Sequence, residues 1–171
     1  MSRGYRMTRR PGRSAALAAL VAVVTLAACG GTAAPASDAL KPLTPEIQRA
    51  YDGYWTAWLS ASRTADPELP ALAAHAADPH LEVLRAGLVT ARQHRQVVTG
   101  DVGHAIRGMN SYDSWYRVLD CVDLTRWLIS DQGTGKPVGQ FVDRPHQLGA
   151  MTLELVDGEW KVTHGYLLGD C

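Results

Sequence analysis

The chain has 171 residues, which suits one domain and is too short for two domains of ordinary size. It carries 17 basic and 17 acidic residues, and five of the basic ones lie within the first 28 residues, where there is no acid. The remainder therefore has 12 basic residues against 17 acidic ones. Nucleic-acid-binding domains normally carry a basic patch, so this balance argues against a nucleic-acid partner.

The N-terminus has the order of an export signal. Arginines between positions 3 and 13 precede an apolar run from Ala15 to Leu26, which is about 12 residues long. A signal-peptide core needs roughly 7–15 apolar residues, whereas a membrane-spanning helix needs roughly 20. The sequence therefore predicts a signal peptide over residues 1–28.

The apolar run ends in Leu26, two alanines and Cys29. This resembles the lipobox of bacterial lipoproteins, in which the cysteine takes a diacylglycerol and becomes the first residue of the mature protein. We therefore expect Cys29 to be lipidated. A lipoprotein cysteine carries at least two acyl chains, which is enough to anchor the protein stably on the extracytoplasmic face of the cell membrane. The alternative is a buried helix that ends at a cysteine. The export route, Sec or twin-arginine, stays open.

The segment after Cys29 is rich in Gly, Ala and Pro and has no face to bury. We therefore expect a flexible tether over residues 29–43 and a folded domain over residues 44–171.

The first half of the domain is predicted to be helical. Thr44, Pro45 and Glu46 form a strong helix start, and the helix should end near Ala65. Its apolar residues recur at helical spacing: Ile47, Tyr51, Tyr54, Trp55, Trp58 and Leu59. A short helix is predicted over Leu69–His75. Asp78 and Pro79 repeat the cap signal before a second long helix that runs to about Gln96, with an apolar face of Leu81, Leu84, Leu88 and Ala91.

Strands are predicted in the second half of the domain. Val98, Val102 and Ile106 alternate as in a strand, and residues 107–112 are expected to form an exposed loop. Further strands are predicted over residues 115–127, 147–156 and 159–167, with a loop over residues 131–137. Asp157 and Gly158 give a two-residue hairpin signal between the last two strands. Helices followed by an antiparallel sheet predict an α+β fold.

This layout resembles the NTF2-like (SnoaL-like) superfamily. Matching features are the aromatic first helix over residues 51–58, the strand over residues 118–123, and the ending Asp157-Gly158-Glu159-Trp160-Lys161-Val162. The resemblance covers residues 44–171 and implies N-terminal helices packed on a curved antiparallel sheet that forms a cone. The chain is most similar to exported lipoproteins of actinobacterial type that carry such a domain.

Two cysteines remain besides Cys29. Cysteines in an exported domain usually pair, so we expect a disulfide between Cys121 and Cys171 that ties the C-terminus to the sheet. The alternative is two buried free thiols. No Cys or His spacing suggests a metal site, and no sequence pattern indicates a cofactor.

The resemblance also allows an enzymatic function. Relatives similar to ketosteroid isomerases and polyketide cyclases place an acid or a histidine in the cone, where burial shifts its pKa towards neutrality. Asp120 alternates with Tyr116, Val118 and Val122, and His164 alternates with Trp160, Val162 and Tyr166. These two are the candidate acid–base pair, and His104 is a third candidate. A one-residue error in register would invert every such assignment.

The leading interpretation is a non-catalytic binding module on the cell surface, accessory to the cell envelope, and the isomerase-like or cyclase-like enzyme is the alternative. The module would hold a small apolar ligand or an envelope protein, and it could form a homodimer through its sheet. The aromatic residues expected to line the cone are Trp55, Trp58, Tyr116, Trp160 and Tyr166.

Overall fold

The computed structural model describes residues 39–140 and 143–171, in which three helices precede seven strands. The α+β order predicted from the sequence is confirmed. The signal peptide, Cys29 and most of the predicted tether lie outside the described residues. Lys41, expected in the flexible tether, instead pairs with Met109 through two backbone hydrogen bonds. The elements are α1 (Pro45–Thr64), α2 (Pro70–His75), α3 (His80–Gln93), β1 (Gln96–Thr99), β2 (Gly103–Ser111), β3 (Trp115–Asp123), β4 (Leu128–Asp131), β5 (Pro137–Gln140), β6 (His146–Val156) and β7 (Glu159–Asp170).

Helix α1 begins and ends close to the predicted residues. The Thr44 hydroxyl accepts a hydrogen bond from the Ile47 backbone N–H at 3.3 Å, and Pro45 stands in the first turn. At the other end Ala65 adopts a left-handed conformation, and its N–H donates to the carbonyl of Ala61. The predicted apolar face is largely buried, with Ile47, Tyr51, Tyr54 and Trp55 at its centre.

Helix α3 differs from its prediction at both ends. Asp78 does not cap it, because the residue before the helix is Pro79 and no side-chain oxygen accepts from the first turn. The helix ends at Gln93, and Arg95 then takes a left-handed backbone that turns the chain into β1. The apolar face is as predicted, since Leu81, Leu84 and Leu88 are all buried.

The strands form two antiparallel sheets among the described residues, one with the order β2-β3-β6-β7 and one with the order β1-β4-β5. The predicted strand through Val98, Val102 and Ile106 is broken at Gly100, so that its two parts join different sheets. Gly100 has a φ of 89°, and a Cβ there would lie 1.8 Å from the Arg126 carbonyl oxygen. Only glycine permits this approach.

Two other strand predictions were wrong. The strand predicted to reach Trp127 ends at Asp123, whose carboxylate accepts from the Thr125 N–H at 2.9 Å and starts a turn. Residues 107–112, expected as an exposed loop, mostly belong to β2, and Met109 within them is only 3% exposed. A bulge between Ile106 and Gly108 breaks the regular alternation that would have revealed this strand.

The hairpin and the disulfide were predicted correctly. Asp157 and Gly158 both have positive φ, 53° and 81°, as a two-residue turn between β6 and β7 requires. Cys121 of β3 is bonded to Cys171 with 5.8 Å between their Cα atoms, which excludes the alternative of free thiols.

The hydrophobic core lies between the helices and the inner face of the four-stranded sheet. Tyr51 and Ile47 of α1 meet Val118, Leu153 and Val162 of the sheet, all of them almost completely buried. No helix within residues 39–140 or 143–171 is both long and apolar enough to cross a membrane.

Candidate functional site

An apolar cavity of about 340 Å³ is lined by α1, α3 and both sheets. Helix α3 contributes Leu84 and Leu88, while Val122 and Met151 come from the sheet. Three lining residues are more than half exposed and mark the opening: Val83 at 66%, Tyr166 at 53% and Leu167 at 53%. Concave, mostly apolar spaces of this size are the usual sites of small ligands in proteins.

Three tryptophans form one wall of the cavity. Trp55 and Trp58 lie on successive turns of α1, and both contact Trp127 edge to face, with ring centroids 6.4 Å and 6.1 Å apart. Trp127 is held in the turn after β3, where its N–H donates to the Leu124 carbonyl. Rings fixed in this way present a rigid aromatic surface to a ligand.

A tyrosine–histidine pair is the main polar group of the cavity. The Tyr54 hydroxyl and His80 Nε2 are 2.8 Å apart, and both side chains line the space. Burial raises the pKa of the Tyr54 hydroxyl above its usual value. Burial, together with the nearby His164, lowers the pKa of His80 from 6.5 to about 4. Both groups are therefore neutral near pH 7.

Gly165 of β7 makes room for this histidine. A Cβ at Gly165 would lie 2.8 Å from His80 Cε1 and 2.9 Å from Met151 Sδ. Any larger residue would displace the imidazole or the thioether. The position of the tyrosine–histidine pair thus depends on a glycine in the edge strand.

Ser62 supplies a second polar group. It lies on α1, lines the cavity and is only 2% exposed, and its hydroxyl oxygen has no hydrogen-bond partner in the part of the chain that the structure describes. A buried hydroxyl without a partner costs free energy, and such groups often mark places where a ligand binds.

Asp120 lies at the centre of a second polar cluster, which does not line the cavity. Its carboxylate is 1% exposed and accepts from the Tyr51 hydroxyl at 2.9 Å and from the Ala105 N–H at 2.9 Å. His104 Nδ1 lies 2.6 Å from the same carboxylate, so the two form an ion pair when the imidazole is protonated. Burial and then the charge of Asp120 raise the pKa of Tyr51 above its usual value. Every partner stabilises the ionised carboxylate, which explains how it can be buried.

The structure does not bring the candidate acid–base pair together. Asp120 faces the helices, whereas His164 is paired through Thr152 with Arg117 and therefore lies on the outer face of the sheet. A bulge at Thr163 reverses the alternation of β7, so that Val162 points inwards and His164 outwards. The prediction that His164 shares a face with Val162 was wrong for this reason. His164 instead bonds Thr163 and stacks on Tyr166.

The five aromatic residues predicted to line one cone do not share one cavity. Trp55 and Trp58 line the cavity, and Tyr166 borders its opening, with its ring stacked on His164 on the outer face of the sheet. Tyr116 and Trp160 do not line it, because their rings pack against each other with centroids 5.0 Å apart. The Trp160 indole N–H donates to the Glu46 carboxylate at 3.0 Å, which places it beside the start of α1.

Sequence reasoning missed Ser62 and His80 as site residues, although a signal existed for each. Ser62 follows Tyr54 and Trp58 at intervals of four on the predicted apolar face of α1. His80 precedes Leu84 and Leu88 at the same interval on α3. A polar residue on the buried stripe of a helix is informative in both cases.

Comparison with known proteins gives a likeness in fold. No protein-family model matches the sequence, and no curated protein matches it. Among solved structures, the intermembrane space region of the chloroplast protein ARC6 superposes with a TM-score of 0.57 at 11% identity, over 75% of this chain and 100% of that one. At this identity the match shows a shared fold alone.

Two further structures match less well. A protein of unknown function with a cystatin-like fold from Nostoc punctiforme has a TM-score of 0.41 at 11% identity, over 74% of this chain and 93% of that one. An NTF2-like designed protein has a TM-score of 0.39 at 10% identity, over 71% of this chain and 98% of that one.

Proposed function

We propose that this protein is a membrane-anchored extracytoplasmic lipoprotein whose NTF2-like domain binds a small apolar molecule without transforming it. The observation that carries the binding proposal is the cavity beside Trp58 and Trp127, which is open at one side and lined mainly by apolar side chains. An apolar space open to water gains free energy when an apolar ligand fills it.

The anchoring proposal rests on the sequence before the domain. The apolar run and the lipobox-like ending at Cys29 support export and lipidation. A tether of about 11 residues, from Gly30 to Leu40, would keep the domain close to the membrane surface, because Lys41 already pairs with Met109 of the fold. The ligand would then be held at the cell envelope, where we place the accessory role of this protein.

Native mass spectrometry of the purified full chain tests the binding proposal. We expect a small-molecule adduct that is lost on denaturation, and the released compound can be identified directly. A protein dimer without an adduct would instead favour a scaffold.

A variant that fills the cavity makes this experiment specific. Gly87 of α3 lines the cavity at an exposed position, and a Cβ there would meet nothing within 4 Å, so the backbone accepts a side chain and Gly87→Leu should narrow the cavity from its rim. Gly139→Leu is the matched control, since this exposed glycine of β5 also has open space around it. The adduct should disappear in the first variant and persist in the second. Equal adducts in both would place the ligand elsewhere.

The anchor is tested separately in a bacterial host that lipidates proteins. The full chain should enter the membrane fraction with a mass increase at Cys29, and Cys29→Ser should remove both. A Cys121→Ser control should keep the lipid. A membrane-bound Cys29→Ser protein would contradict lipid anchoring.

A further inference from the structure

Ser62 and Tyr54 lie on the same side of α1 and line the same cavity. They are eight positions apart, which corresponds to about 12 Å along a helix at 1.5 Å per residue. Trp58 stands midway between the two and also lines the cavity. The space therefore has a polar group at each of two points along α1, with an aromatic surface between them. Trp55 also lines it, and its buried indole N–H has no acceptor among the described residues.

The Tyr54–His80 pair and Ser62 differ in whether their polar atoms have hydrogen-bond partners. Tyr54 and His80 bond each other, so their hydrogen-bonding requirement is met within the protein. The Ser62 hydroxyl is buried and has no partner. Leaving such a group unpaired costs on the order of 1–3 kcal/mol, so a ligand atom that bonds it gains affinity.

Charge further restricts the ligand. Among residues 39–140 and 143–171, no Asp, Glu, Lys or Arg lines the cavity. A charged ligand would lose its hydration without gaining an opposite charge, which is strongly unfavourable.

Volume gives the size of the ligand. Water occupies about 30 Å³ per molecule in the liquid. A cavity of about 340 Å³ therefore holds on the order of ten heavy atoms.

We propose that the cavity selects an uncharged, mainly apolar molecule of on the order of ten heavy atoms that carries a hydroxyl or carbonyl group, and that Ser62 Oγ binds this group. The proposal rests on the proposed function and adds the chemical class of the ligand. It makes Ser62 the residue that distinguishes an alcohol from a hydrocarbon of the same shape.

Three probes of one shape test the selectivity: naphthalene, 2-naphthol and 2-naphthoate. Their binding is measured by equilibrium dialysis at pH 7.5 with the full chain carrying Cys29→Ser, which removes only the proposed lipid site. We expect 2-naphthol to bind about tenfold more tightly than naphthalene, because it satisfies the serine. The carboxylate should bind more weakly than either.

Ser62→Ala should remove the preference for naphthol and leave naphthalene affinity unchanged. Ser60→Ala is the matched control, because Ser60 is exposed on the same helix. Tight binding of 2-naphthoate, or an unchanged naphthol preference in Ser62→Ala, would overturn the selectivity. If naphthalene binds as well as naphthol, the selectivity fails and the apolar cavity stands. If no probe binds, the proposed function fails as well.

Discussion

The Tyr51 hydroxyl donates a hydrogen bond of 2.9 Å to the buried carboxylate of Asp120, joining residues 69 positions apart in the sequence. This bond fixes the middle of α1 to the centre of β3. Both side chains are 1% exposed, so the hydrogen bond is shielded from water in the folded protein.

Tyr51→Phe should therefore destabilise the protein by about 1.5–3 kcal/mol, the usual range for a hydrogen bond to a charged group. Urea unfolding measures this loss. Tyr112→Phe is the control, because Tyr112 is 38% exposed, and it should change stability by less than about 0.5 kcal/mol. Equal midpoints for the two variants would show that the bond to Asp120 contributes nothing.

His80 should make stability depend on pH. Its pKa is lowered from 6.5 to about 4 by burial and then by His164, so the unfolded chain binds a proton more readily between these values. Stability from this group is complete above pH 6.5, falls as the pH drops towards 4, and levels off below that. We expect a loss on the order of 2 kcal/mol, reduced for the partial exposure of the ring.

The His80 contribution can be isolated by difference, since other histidines also titrate in this range. Urea midpoints of the wild type and His80→Gln are compared at pH 7.5 and pH 4.5. The wild type should lose more stability than the variant over this interval. Parallel losses would contradict the assignment to His80.

Local chemistry predicted much of this fold. The cap at Thr44, the apolar stripes of α1 and α3, and the Asp157–Gly158 turn each depend on residues near one another in sequence. The pairing of Cys121 with Cys171 needed only a count of the cysteines left in the domain. The physical cause of each such feature can be read from residues a few positions apart, or from the amino-acid composition.

The site was harder to predict because strand alternation failed at irregular positions. The bulge at Thr163 moved His164 to the outer face, and the break at Gly100 divided one expected strand between two sheets. Both depend on contacts between distant segments, such as the approach of Gly100 to Arg126. Single-strand periodicity contains no information about either.

Gly165→Ala should disturb the cavity from the edge strand. The added methyl group would meet His80 and Met151 at less than 3 Å, so one of them must move. We expect a loss of about 1–3 kcal/mol in stability and weaker binding of a cavity probe such as 2-naphthol. Gly139→Ala, which meets nothing within 4 Å, should leave both unchanged. Wild-type binding by Gly165→Ala would show that the ligand site does not depend on the glycine at this position.

The disulfide between Cys121 and Cys171 should contribute about 3–4 kcal/mol, because it closes a loop of 50 residues in the unfolded chain. In the chain carrying Cys29→Ser, Cys171→Ser should lower the urea midpoint by the corresponding amount. Cys121→Ser and the double variant should match it, since each loses the same crosslink. A reductant should shift only the protein that retains both cysteines. If the reduced and oxidised proteins unfold at the same urea concentration, the crosslink does not restrict the unfolded chain.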